Sequence, residues 1–290
     1  MNFTFDVVTE LVYASLFIGM IYAAVAVGLN LLYSTMKMVN IAAGDFLMIG
    51  AYITYVLSSS FGVSPQVSIF LVVAVMCVVG AALNFTLLRR ITLSIKSVTM
   101  VETVSILVFF GLVQVLDNTA ALAWGGQYAS YSYSSPIPFL ADAHLFTIVV
   151  GAIMIGGLYL FMQYTWAGRS IKYVVQNTEA AKIVGVNVRR VYLLATLLSF
   201  AFLGAAGTMV SMNYVLTPYI GTQYTMDGFV AMVLGGVGNP VLGLPAGIFI
   251  GGLETFGTYF TTPAYRIVIS YISFLIVLVV RRRRLGGGRR

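Results

Sequence analysis

The chain has 290 residues, 60% of them hydrophobic and only 9% charged, which leaves too little polar surface for a water-soluble domain. The net charge of +7 is gathered beside apolar runs, at Arg89, Arg90 and Lys96, at Arg169, Lys172, Lys182, Arg189 and Arg190, and at Arg281 to Arg284 with Arg289 and Arg290. That placement marks cytoplasmic flanks and argues against a nucleic-acid surface. One cysteine and one histidine rule out an internal disulfide and leave no basis for a zinc site. With no Gly-Lys dipeptide there is no P-loop, so the chain is read as a non-enzyme.

Taken in order, residues 11–33 form a first span. It is too long for a removable signal peptide and lacks the basic leader and cleavage site of one. Counting spans back from Arg89 puts Lys37 inside and the N-terminus outside, with which the leading Asp6 and Glu10, without a basic residue, are compatible. Residues 39–58 and 65–88 are the second and third spans, ending at the basic cluster 89–96. Residues 98–116 lead out again. The connection 117–142 is read as external, because it holds no Lys or Arg and carries Trp124, Tyr128, Tyr131 and Tyr133, residues suited to an interfacial belt. Residues 143–164 return to a cytoplasmic loop, 165–190, and residues 191–212 lead outward.

The next stretch, 226–259, must begin and end outside. Gly235, Gly236, Gly238, Asn239 and Pro240 interrupt it, so two short helices joined by a turn are expected. Residues 266–280 then return to a basic tail, 281–290, on the cytoplasmic side. The expected fold is a single all-α polytopic domain, residues 1–290, in the plasma membrane. About eight to nine transmembrane segments are expected, one of them broken.

Several polar groups lie in or at the ends of these apolar runs, where an uncompensated charge costs several kcal/mol. Asp45 and Asp227 each adjoin a glycine and precede an aromatic and an apolar run, in segments of opposite expected direction, the pattern of an inverted repeat. Each is read either as a helix cap or as a lining group of a hydrated path. Glu102 is assigned to a membrane edge near Lys96, and Glu254 to an interior role. A translocation path is therefore expected along Asn40, Gly44, Asp45, Asp227, Gly228, Gly235, Gly236, Asn239 and Glu254. Gly204, Gly207, Gly247, Gly251 and Gly252 read as helix-packing residues.

Within the loop 165–190, residues 177–185 spell a short helix. Asn177 or Thr178 can cap its start, Glu179 suits its first turn and Gly185 can close its end. Such a knob can dock a partner, although a surface helix without one is the commoner case for a loop.

Glu179-Ala180-Ala181-x-x-x-Gly185 resembles the E-A-A-x-x-x-G signature of ATP-binding cassette importer permeases. With Gly168-Arg169-Ser170, residues 185–190, Val233 to Pro240 and Asn40 to Tyr52, the chain from about residue 15 to 282 resembles the LivH-like permeases for branched-chain amino acids. The resemblance implies that Glu179, Ala180, Ala181 and Gly185 seat in a cleft of an ATPase. It also implies a second, LivM-like permease subunit, two cytoplasmic ATPase subunits that hold the ATP and Mg, and an extracytoplasmic solute-binding protein. This chain would bind no cofactor. Where that family shows N-F-A-H-G or a near variant, this chain has Asn40-Ile41-Ala42-Ala43-Gly44, a departure that bears on substrate, since related permeases move urea or short amides. The basic tail suits anionic lipid. The rival readings are a gradient-driven secondary transporter, which the broken helices would equally serve, and a non-transporting scaffold.

Overall fold

A computed structural model describes residues 5–95, 97–126, 128–132 and 141–262, together with 265, 268, 269, 271, 272 and 274–276. The chain folds as α1 (Phe5–Met36), α2 (Ala43–Phe61), α3 (Pro65–Leu83), α4 (Arg89–Ser94), α5 (Val98–Trp124), α6 (Ala143–Tyr164), α7 (Trp166–Gln176), α8 (Thr178–Ile183), α9 (Val188–Asn213), α10 (Gly221–Gly235) and α11 (Gly243–Phe260). A π-helical turn, Asn84–Leu88, joins α3 to α4.

Local chemistry sets most boundaries. Gly62 closes α2 in the left-handed conformation, and Pro65 opens α3 at a position whose N–H would have no partner. Asp142, Thr165, Asn177 and Asn187 each accept a backbone N–H at the start of α6, α7, α8 and α9.

The inner half of α1 is apolar on every face and is buried on every face, with α11, α9 and α10 packed around it and α6 beside it. Its crossing with α11 relies on small residues. A Cβ at Gly247 would stand 2.5 Å from the Ala23 nitrogen, and one at Gly251 would stand 2.6 Å from the Gly19 nitrogen. By contrast α3, α5 and α6 turn Phe70, Val78, Leu107, Phe110, Ile153 and Leu160 outward, as helices bathed in lipid do.

Six helical stretches among the described residues are long and apolar enough to cross a membrane: Asp6–Met36, Pro65–Thr92, Val98–Trp124, Ala143–Tyr164, Val188–Asn213 and Pro240–Phe260. The fold is thus an all-helical polytopic one, without strands among the described residues apart from one isolated bridge between Ala129 and Leu216. The expected second span is present as α2, a 19-residue helix that falls outside those six.

In place of one long crossing at 226–259 there are two helices and a turn. At 15 residues α10 is about 22 Å long at 1.5 Å per residue. The turn ends in a 3-10 segment, Pro240–Leu242, before α11 leads back. Most of the expected last span, 266–280, and all of the tail, 281–290, lie outside the described residues, as does Lys96.

One expectation is corrected. The helix through residues 98–116 does not stop before Asp117. It runs on to Trp124, so the connection begins eight residues later, and Asp117 is buried on the side of α5 that faces α2.

Candidate functional site

The loop between α6 and α9 builds a defined knob. Asn177 Oδ1 accepts from the N–H groups of Glu179 and Ala180, both at 3.0 Å. At the other end Gly185 has φ 88°, a conformation that favours glycine. The Val186 N–H bonds the Ala181 carbonyl and the Gly185 N–H bonds that of Lys182, both at 3.0 Å, which together satisfy the last carbonyls of α8. Ala181 is turned inward, while Ile183 and Val184 are 87% and 72% exposed. Lys182 Nζ lies 2.7 Å from Glu179 Oε1, an exposed pair worth little stability. Beside α8 a cleft of about 650 Å³ is lined from the ends of α1 and α7 and the start of α5. The four residues expected at the knob are therefore gathered on one short capped helix and the glycine that closes it.

The residues expected along a path fall into three places. At the start of α2, Asn40 Oδ1 accepts from the Ala42 N–H at 3.1 Å, and the Gly44 N–H donates to Thr225 Oγ1 at 2.7 Å. Here α2 meets α10 so closely that a Cβ on Gly44 would stand 1.7 Å from the Gly221 carbonyl oxygen. Asp45 is buried in the same contact, 1% exposed. Further along α10, Asp227 is buried and Gly228 packs against Val25 of α1.

The second place is the turn after α10. Asn30 of α1 donates from Nδ2 to the Gly236 carbonyl and accepts from the Gly238 N–H, both at 2.9 Å. Gly235 packs against the Leu242 carbonyl, and Asn239 is exposed beside a cleft of about 370 Å³ lined partly by α7. The third is Glu254 of α11, whose Oε2 accepts from the buried Tyr22 hydroxyl at 2.6 Å.

Some expected roles change. Asp227 is the seventh residue of α10 and not near its start, so it does not cap that helix. Asp45 does lie in the first turn of α2, yet among the described residues no backbone N–H of another residue bonds its carboxyl. Glu102 accepts from the Tyr33 hydroxyl at 2.7 Å and so has a partner on α1. Of the aromatics expected in the connection, Trp124, at the end of α5, stacks on Tyr52 at 4.5 Å, and the Tyr131 hydroxyl meets Ser211 at 3.0 Å. Tyr128 is exposed, while Tyr133 lies outside the described residues. Sequence reasoning did not single out Asn30, Tyr22 or Asp117. Their partners stand far away in the chain, and no local pattern announces them.

A bundle of membrane-crossing helices with carboxyl groups buried along it and a capped knob on one connection has the architecture of a membrane permease. Residues 11–278 match the family described as "Branched-chain amino acid transport system / permease component", and the chain belongs to that family. It is 24% identical over 280 residues to the high-affinity branched-chain amino acid transport system permease protein LivH of Escherichia coli K12, covering 91% of this chain and 90% of that protein. It is 26% identical over 268 residues to the probable branched-chain amino acid transport permease protein LivH of Methanocaldococcus jannaschii, covering 88% and 85%. The permease protein BraD of Pseudomonas aeruginosa is 23% identical over 280 residues, covering 91% of each chain. No solved structure matches it. These relatives are transport components and not enzymes.

Proposed function

We propose that this chain is one permease subunit of an ATP-binding cassette importer and, with a second, LivM-like permease, forms the path for branched-chain amino acids. Two separate cytoplasmic ATPase subunits would hold ATP and Mg, and an extracytoplasmic binding protein would deliver the substrate. Support comes above all from α8: a helix capped at both ends that presents Glu179, Ile183 and Val184 outward from a connection between two spans. ATPase closure pushes on this rigid knob, and α7 and α9 carry the displacement into the bundle.

In the membrane the N-terminus is outside and the C-terminus cytoplasmic. The six apolar helices together with α2, the short α10 and the segment 266–280 make about eight to nine membrane segments. Asn40, Gly44, Asp45, Asp227, Gly228, Gly235, Gly236, Asn239 and Glu254 are the proposed lining. Anionic lipid is the partner proposed for the tail.

The test is co-purification in mild detergent of wild type, Glu179→Arg and Gly185→Trp with the ATPase subunits. The expected result is ATPase bound to wild type and lost from both variants. No ATPase under any mild condition would leave gradient-driven transport as the better reading.

A further inference from the structure

Asp45 and Asp117 present a problem of charge that the proposed function does not address. Asp45 is 1% exposed and Asp117 8%. Among the described residues no side-chain donor bonds either oxygen of Asp45 or Oδ1 of Asp117. What each carboxyl meets is the other, at hydrogen-bonding range across the seam between α2 and α5.

The meeting is fixed from both sides. Before it, the Val39 N–H donates to Ser105 Oγ at 3.0 Å. Beyond it, Tyr52 stacks on Trp124 at 4.5 Å, each of these seven residues past its aspartate. These two contacts hold α2 and α5 in register on either side of the aspartates.

Two carboxylates in contact inside a membrane cannot both be ionised. Among the described residues no Lys, Arg or His side chain pairs with either group. The other titratable and charged groups on the packed elements are Tyr52 and Tyr55 of α2, Glu102 of α5, bonded to Tyr33 of α1, Asp6, Glu10, Tyr13 and Tyr22 of α1, Cys77 of α3, Arg89 and Arg90 of α4, Arg189, Arg190 and Tyr192 of α9, and Tyr224 and Asp227 of α10. Among the described residues no group of three or more His, Cys, Asp or Glu side chains gathers that could hold a metal ion here.

We propose that Asp45 and Asp117 form a proton-binding site within the membrane, holding one proton between them, and that this proton keeps α5 seated on α2. One carboxylic acid donates its O–H to the other carboxylate, and the pair carries a single negative charge. That charge lies in the first turn of α2 and against Gly221, the first residue of α10, where a Cβ would stand only 2.1 Å from Asp45 Oδ1. The positive ends of two helix dipoles therefore face it. Losing the proton to base sets two carboxylates against each other in a low dielectric and drives the seam apart. The pair titrates as a unit.

The test is infrared difference spectroscopy of the full chain in lipid nanodiscs. At neutral pH wild type should show a protonated-carboxyl C=O band that shifts on 13C labelling of aspartate and disappears as pH rises. The band should be lost from Asp45→Asn and from Asp117→Asn, since an amide N–H then satisfies the remaining carboxylate. In a Trp166→Phe background the emission of Trp124 should redden over the same pH interval, and should be constant with pH in the double Asn variant. A wild-type spectrum without an aspartic band at neutral pH overturns the proposal, and so does a band that survives in either single variant. The labelling result needs no variant to fold. None of these readouts requires an ATPase or a substrate, so their failure would leave the importer reading standing.

Discussion

Asn30, in the last third of the helix α1, closes the turn that follows α10 by accepting the Gly238 N–H at 2.9 Å while donating to the Gly236 carbonyl at the same distance. A helix interrupted within a membrane protein frees backbone groups that lipid cannot satisfy. Here one amide side chain, 1% exposed, supplies both the missing donor and the missing acceptor.

Replacing Asn30 by Leu leaves the Gly238 N–H without its partner, at about 1–3 kcal/mol, and the Gly236 carbonyl with only the Asn239 N–H at 3.3 Å. The expected outcome is a clear fall in the thermal midpoint of the detergent-solubilised protein. Equal midpoints for Leu and wild type would show that the turn does not depend on this clasp.

The contact between α2 and α10 gives a second prediction through two glycines of opposite surroundings. A Cβ on Gly44 would overlap the Gly221 carbonyl at 1.7 Å, whereas one on Gly252 meets nothing within 4 Å. Gly44→Ala must push two helix backbones apart, at about 3 kcal/mol or more, and should reduce folded yield sharply. Gly252→Ala should be neutral, or more stable by about 1 kcal/mol from helix propensity. Size-exclusion profiles and thermal midpoints of the two variants decide the point.

Much of this was legible in the sequence where the signal is local. Asn177, Glu179 and Gly185 lie within nine residues, and cap, first turn and left-handed stop fall where capping chemistry puts them. The glycines and proline at 235–240 likewise forecast the helix pair α10 and α11. What escaped was every feature made by distant partners. Asp117 reads as the end of an apolar run because hydropathy weighs each side chain alone, yet α5 continues through it, carrying it against Asp45. Asn30 has no neighbour in sequence to hint at a turn more than two hundred residues on. Asp227 was misjudged for a related reason: the likeness between its segment and that of Asp45 suggested a helix start, and α10 begins six residues earlier.

For α8 the prediction separates its cap from its surface. Asn177→Ala removes the acceptor for two N–H groups, a loss of about 1 kcal/mol, and Gly185→Ala forces a side chain into the left-handed region at about 1–2 kcal/mol. In a helix of six residues either change is enough to fray it. Both variants should express and fold as wild type, while the ATPase subunits co-purify at reduced yield. Unchanged co-purification with both would remove the ordered knob from the coupling scheme.

The N-terminal end of α1 supplies a pH prediction. Burial pushes the Asp142 carboxyl up, but the Tyr13 hydroxyl, the His144 N–H and the His144 side chain together outweigh it and hold the carboxyl below its usual range. A carboxyl depressed in the folded state stabilises that state above its unfolded value, and the contribution is lost as pH falls through the lower, folded value. In wild type the loss therefore begins only in acid. Tyr13→Phe takes away one of the groups that favour the charged form, so the loss should begin at higher pH, and the thermal midpoint of the variant should start to fall sooner on acidification. Because His144 stacks on Phe17 at 4.1 Å beside this contact, the first region to loosen should be the junction of α6 with α1, read as faster hydrogen exchange at residues 142–147. Superimposable midpoint curves for Tyr13→Phe and wild type would mean that the hydroxyl does not set the charge of Asp142.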